Sequence, residues 1–130
     1  MTAYNDQQAM DEFFNSMQSQ TNTHWFISHA SLARNDQSKF EKDTPHPSLI
    51  VDLHGKTALE AENECLSILA HAITHHHRVI KIIHGVGSGI LKSTTQNIIK
   101  ENEEIVLATN KCNGRLSKSA LWIWLKKRLR

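Results

Sequence analysis

Asp52 and His54 stand two residues apart in the run Val51-Asp52-Leu53-His54-Gly55. In an extended chain, residues i and i+2 point to the same side, roughly 7 Å apart. Histidine titrates near neutrality, so it can move protons at a phosphodiester. A carboxylate beside it can fix its tautomer or hold a cation. A second run, Val79-Ile80-Lys81-Ile82-Ile83, also ends in His-Gly, at His84-Gly85. It opens into Gly85-Val86-Gly87-Ser88-Gly89, with Lys92 shortly after. Glycines let a ligand approach closely, and a helix N-terminus offers free N–H groups to an anion. Lys92 in the first turn of that helix opposes the helix dipole, and a bound phosphate would offset that. The glycine pattern also suits a plain strand-to-helix turn, and a polar pair suits the solvated face of a half-covered sheet. Two features favour a site. Aspartate is disfavoured in strands, and ligands of open α/β sheets bind beyond the strands' C-terminal ends.

Positioning these residues takes a strand over 49–54, with Leu49, Val51 and Leu53 on one side and Asp52 and His54 on the other. Thr57 then caps a helix, and Glu60 three residues on completes a capping box. Ala58, Ala61, Cys65, Ile68, Leu69, Ala72 and Ile73 form its inner stripe, as far as about His76. A strand over 78–84 follows, then a helix over 90–101 with Leu91, Thr94, Thr95, Ile98 and Ile99 inward. A strand over 105–109, a turn at Asn113-Gly114 and a last strand over 119–125 close the chain. Two strands flanking one helix are parallel with a right-handed crossover, which brings both His-Gly steps to one sheet edge. The expected fold is a two-layer α/β sandwich of order βαβαββ with a four-stranded mixed sheet. Two helices cover one face, and Asp52 and His54 lie on the open one.

The chain has 130 residues, enough for one domain. Residues 49–130 form it, and 1–48 read as an N-terminal extension. Met10, Phe13, Phe14 and Met17 predict a short helix over 6–18, and the polar segment 34–48, with Pro45 and Pro47, reads as a linker. The extension either packs on its own domain or docks a larger partner through Phe13, Phe14, Trp25 and Phe26. A net charge of +2 does not by itself argue for nucleic acid, but the cations gather late. Lys111, Arg115 and Lys118 precede Lys126-Lys127-Arg128-Leu129-Arg130, a solvated end or a phosphate-contacting one. A dinucleotide-binding fold needs more parallel strands than this length allows. Cys65 and Cys112, without CxxC spacing, read as buried free thiols. His71 and His75 could share a metal at i, i+4, yet no acidic or cysteine partner lies at ligand spacing, and an exposed helix end is the better reading. No signal-peptide pattern and no apolar run near ~20 residues occurs, so the expectation is a cytoplasmic protein with no membrane contact.

Taken together, 49–126 resembles the Smr (small MutS-related) domain. The resemblance rests on Val51-Asp52-Leu53-His54-Gly55, on Ile83-His84-Gly85-Val86-Gly87-Ser88-Gly89, and on the closing Ala120-Leu121-Trp122-Ile123-Trp124-Leu125. It implies a fold like the C-terminal domain of bacterial translation initiation factor three. It also implies nucleic-acid binding and, as in several members, endonuclease activity on structured DNA or on messenger RNA of stalled ribosomes. Asp52 and His54 match the family's Asp-Leu-His motif, and His84, Gly85, Gly87 and Gly89 its glycine loop. One departure is the segment Asn113–Ser119, which holds one glycine where related free-standing proteins often have a pair, and adds Arg115 and Lys118. The expectation is an RNA- or DNA-cleaving enzyme in which Asp52, His54 and His84 are catalytic. Gly85, Gly87, Ser88, Gly89, Lys92, Arg115 and Lys118 would bind the nucleic acid. On RNA the 2′-hydroxyl serves as nucleophile and no metal is required; on DNA water attacks and Asp52 helps hold Mg²⁺. The ribosome is a candidate partner. A non-catalytic RNA-, DNA- or ribosome-binding module is the alternative, and a mononucleotide-binding protein ranks behind it.

Overall fold

β-branched and leucine residues fill the strand Leu49–Asp52 (β2) and the strand Val79–Ile83 (β3), and the two pair in parallel from Leu49 opposite Ile80 to Asp52 opposite Ile83. A computed structural model describes residues 23–29 and 34–127 of the chain. The segment 6–18, read as a helix, and Arg128 to Arg130 lie outside the described residues. Val51 and Leu53 are buried while Ile50, Asp52 and His54 are exposed, so the two-residue alternation runs as the sequence indicates. Between the strands lies the helix Ala58–Thr74 (α2). Thr57 Oγ1 accepts from the Glu60 N–H at 3.2 Å, and Glu60 Oε1 accepts from the Thr57 N–H at 2.9 Å, the reciprocal cap expected there. Ala61, Cys65, Leu69 and Ala72 form its buried stripe. The helix Ile90–Glu101 (α3) packs beside it and buries Thr95 and Ile99.

The strand Ile105–Thr109 (β4) and the closing strand Ala120–Leu125 (β7) complete the order that the sequence predicts. Between them Asn113 and Gly114 both adopt positive φ, 50° and 80°, and join the short strands Lys111–Cys112 (β5) and Arg115–Leu116 (β6) into a hairpin. The main sheet has five strands rather than four. Phe26–Ser28 (β1) pairs antiparallel with β4, giving the order β1-β4-β7-β3-β2. One face carries the main core, in which Leu53, Ile80, Ile82, Ile105, Leu121 and Ile123 meet α2 and α3.

The other face is not open throughout. Where a polar linker was expected, Arg34–Lys42 forms a helix (α1) that lays Phe40 on Val79, Leu107, Ala120 and Trp122 and stacks it on Trp124, ring centroids 5.6 Å apart. The reason is local: Phe40 alone supplies the helix with an apolar anchor, too little to show as a period. Over the edge strand β2 this face stays uncovered, at Ile50 and Asp52. Cys65 is buried and its thiol is pushed up to about 12 by burial, whereas Cys112 is only half-buried; both are free. His71, His75 and His76 are exposed at the far end of α2 from Thr57, and among the described residues no three His, Cys, Asp or Glu side chains stand together as metal ligands. No helix among these residues is long and apolar enough to cross a membrane.

Candidate functional site

Because β2 and β3 are parallel and in register, the chain leaves both at the same edge. The Leu53 N–H still donates to the Ile83 carbonyl at 2.7 Å, so pairing persists to the point where the first turn begins. Gly55 takes that turn at φ 79°. Gly85 takes the second at φ 82°, and a Cβ there would lie 2.9 Å from His54 Cβ. Only glycine permits both the left-handed backbone and that approach. The N–H groups of His84 and Gly85 donate to the Ser119 carbonyl at 2.8 and 3.1 Å, tying the loop to the start of β7. The two turns bound a cleft of about 360 Å³, lined by His54, Lys56, His84, the loop 85–89 and Lys92, with Thr57 and Ala58 at the start of α2.

His54 is 71% exposed, yet it is oriented. Its Nδ1–H donates to Asp52 Oδ1 at 2.6 Å, and its backbone N–H donates to the same oxygen at 3.1 Å. A carboxylate can only accept, so Nδ1 carries the proton and Nε2 is left to take or give one. The bond from the His54 ring holds the Asp52 carboxyl below its usual value, helped by the His54 backbone N–H, so Asp52 is ionised at neutral pH.

His84 differs in every respect. It is 3% exposed, and its Nδ1–H donates to the Gly85 carbonyl at 2.8 Å. Burial pushes its pKa down; the bond to the Gly85 carbonyl opposes this, and the charge of Lys92 adds to it. A neutral, buried imidazole orders the loop.

Two helix N-termini face the cleft. That of α2 is closed by its capping box. That of α3 is not: its N-cap is Gly89 at φ 90°, which has no side chain to offer, and the Ile90 N–H reaches Ser88 Oγ only at 3.4 Å. Open donors at α3, with Lys92 and Lys56 beside them, make the loop end of the cleft a place for an anion.

Of the residues singled out in the sequence, His54, His84, Gly85, Gly87, Ser88, Gly89 and Lys92 share the cleft, and Asp52 joins it through His54. Arg115 and Lys118 are exposed but do not line it. The hairpin that carries Arg115 is fastened to α1 instead, by the Gly114 N–H on the Glu41 carbonyl at 2.8 Å and the Thr44 N–H on Asn113 Oδ1 at 3.0 Å. Lys118 precedes Ser119, so it stands beside the loop's anchor. Lys56 was missed; its signal was a cation directly after the His54-Gly55 turn. Mg²⁺ commonly binds through one or two carboxylates together with substrate phosphates and water. Asp52, the one carboxylate beside the cleft, uses Oδ1 for His54 and is the residue that would hold such an ion with a substrate phosphate.

Comparison with known proteins bears on the family. The Smr domain family model matches residues 51–126, more than half of the chain. Two curated relatives, each named Endonuclease MutS2, are 33% identical over 57 residues (Solidesulfovibrio magneticus) and 34% identical over 55 (Aquifex aeolicus). Those matches cover 44% and 42% of this chain but only 7% of each relative. Among solved structures, the stand-alone small MutS-related protein YdaL from Escherichia coli superposes with a TM-score of 0.69 at 17% identity, covering 81% of this chain and 85% of that one. The Smr domain of Thermus thermophilus MutS2 does so at 0.55 with 22% identity, over 59% of this chain and 96% of its own. At those identities the structures speak to fold. Motif, family match and fold agree, and the chain belongs to the Smr domain family.

Proposed function

We propose that this protein is an endonuclease that cleaves phosphodiester bonds in RNA, with the cleft between the two His-Gly turns as its active site. His54 carries the reading: an imidazole whose Nδ1 is committed to an ionised carboxylate and whose Nε2 is free, at the mouth of an anion-binding cleft. In this reading the scissile phosphate rests on the N–H groups of 85–89 and the open end of α3. His54 Nε2 takes the proton of the neighbouring 2′-hydroxyl, which attacks phosphorus, and water protonates the departing 5′-oxygen. Asp52 holds the tautomer and steadies the imidazolium that forms. Lys56, Lys92 and the loop's N–H groups stabilise the charge that grows on the phosphoryl oxygens. His84 keeps the loop in place. Arg115 and Lys118 would meet a longer strand outside the cleft. The route uses the base and the anion-binding donors that the cleft offers, and this supports the RNA reading. The likeness to relatives named endonucleases supports the reaction class, and mRNA on a stalled ribosome is the physiological substrate that the family suggests.

The test incubates the protein with structured RNA, ribosome-bound mRNA, branched DNA and linear duplex DNA, each with Mg²⁺ or with EDTA, beside the Asp52→Ala/His54→Ala double variant. Cleavage of either RNA in EDTA, by the unsubstituted protein alone, is the expected result. Cleavage of DNA alone, and only with Mg²⁺, would overturn the RNA assignment. Salt-sensitive binding without cleavage of any substrate would replace the enzyme with a binding module.

A further inference from the structure

Six large apolar side chains stand out into solvent among the described residues, and two of them, Val86 and Ile90, line the cleft. Val86 is 74% exposed at the crest of the glycine loop, and Ile90 is 57% exposed on the first turn of α3. Gly85 and Gly87 flank Val86 and bring no side chain to cover it. The space beside Gly87 is open, since a Cβ there would meet nothing within 4 Å. The segment 85–92 therefore combines two opposite surfaces: backbone donors and Lys92 suited to an anion, and two branched aliphatic groups suited to a flat apolar one. A nucleotide joins those two chemistries in a single unit. The cleft, at about 360 Å³, is at the low end of small-ligand pockets, which begin at roughly 300 Å³. That volume suits one nucleotide. A base that is stacked and paired cannot present its face to Val86 without being taken out of the helix.

We infer that Val86 and Ile90 form an apolar shelf for one unpaired nucleobase of the strand whose phosphate lies on the loop 85–89, so that the site accepts single-stranded RNA and rejects duplex. The inference rests on the phosphodiester reading above and adds the form of the substrate to it. Val86 and Ile90 are specificity-determining residues here; they take no part in the chemistry.

The test compares the binding of 2′-O-methyl oligonucleotides of equal length and charge, which cannot be cut by the 2′-hydroxyl route. One carries uracil at every position, one carries no bases, and one is a paired duplex. The expected result is roughly tenfold tighter binding of the uracil strand than of the baseless strand or the duplex. In the Val86→Ser/Ile90→Ser variant the uracil strand should fall to the level of the baseless one, while binding of the baseless strand is unchanged. Both positions are exposed, and an unaltered circular dichroism spectrum confirms the variant's fold. Equal binding of uracil and baseless strands by the unsubstituted protein, or a preference that survives the double substitution, overturns the shelf and leaves the phosphate site standing. If no strand binds, or if Lys56→Ala/Lys92→Ala does not weaken the baseless strand, the phosphodiester reading fails and takes the shelf with it.

Discussion

In the proposed reaction, proton transfer rests on His54 and Asp52, and three outcomes are expected at this scale. Asp52→Asn keeps an oxygen near Nδ1 but removes the charge that steadies the imidazolium, so kcat should drop by about 10²-fold or more with RNA binding little changed. Steady-state kinetics beside a binding titration would separate the two. Gly85→Ala meets both constraints of that residue, the positive φ and the 2.9 Å approach to His54 Cβ. A loss of about 1–3 kcal/mol in stability, with cleavage lost as His54 is displaced, is expected in thermal unfolding and activity assays. His84 gives a pH effect whose sign is determined. Held neutral by burial, it binds fewer protons in the folded chain than in the unfolded one, where its value is near 6.5. Stability is therefore complete above about pH 6.5 and declines as pH falls from there toward the lowered folded value. His84→Asn retains an N–H for the Gly85 carbonyl and does not titrate. Its melting temperature should fall less between about pH 7.5 and 5 than that of the unsubstituted protein.

At the scale of elements, α2, β3, α3, β4 and β7 were legible because each repeats apolar residues at its own period and is bounded by caps, glycines or a turn. The capping box Thr57–Glu60 and the Asn113-Gly114 hairpin were read from residue types alone, since their chemistry is local. α1 and β1 were not legible. In α1 one aromatic, Phe40, provides the contact, and β1 is three residues long, too short to alternate. Both depend on partners far along the chain. Phe40→Ala should destabilise by about 3 kcal/mol while leaving cleavage per folded molecule unchanged, because Phe40 lies on the sheet face turned away from α2 and α3; denaturant titration and activity would show this. Beside its ladder with β4, the approach to β1 is tied by Asn110, whose Oδ1 accepts from the Trp25 N–H at 2.9 Å and whose Nδ2 donates to the Thr23 carbonyl at 2.7 Å.

For the whole molecule, a net charge of +2 gives little general pull on a polyanion, so the proposed nucleic-acid affinity has to come from the local arrangement of cations. Removing Lys56 and Lys92 together should lower the slope of log K against log salt by about 1.4, near 0.7 for each phosphate contact on a single strand. What the sequence alone determined was the parallel β2-α2-β3 unit and its two His-Gly ends. Periodicity dictates those elements, and a parallel pair must finish at one edge. That much already placed Asp52, His54 and the loop 85–89 near one another. Tertiary structure decided the rest. It set which nitrogen of each histidine is free, because that follows from the acceptor that each ring meets. It buried His84 and left His54 exposed but oriented by Asp52, although both precede a glycine at a strand end. It brought Lys56 into the cleft and left Arg115 on a hairpin fastened to α1. The acceptors of the two rings, Asp52 and Gly85, are chain neighbours, but burial depends on residues distant in the chain, and no local pattern encodes it.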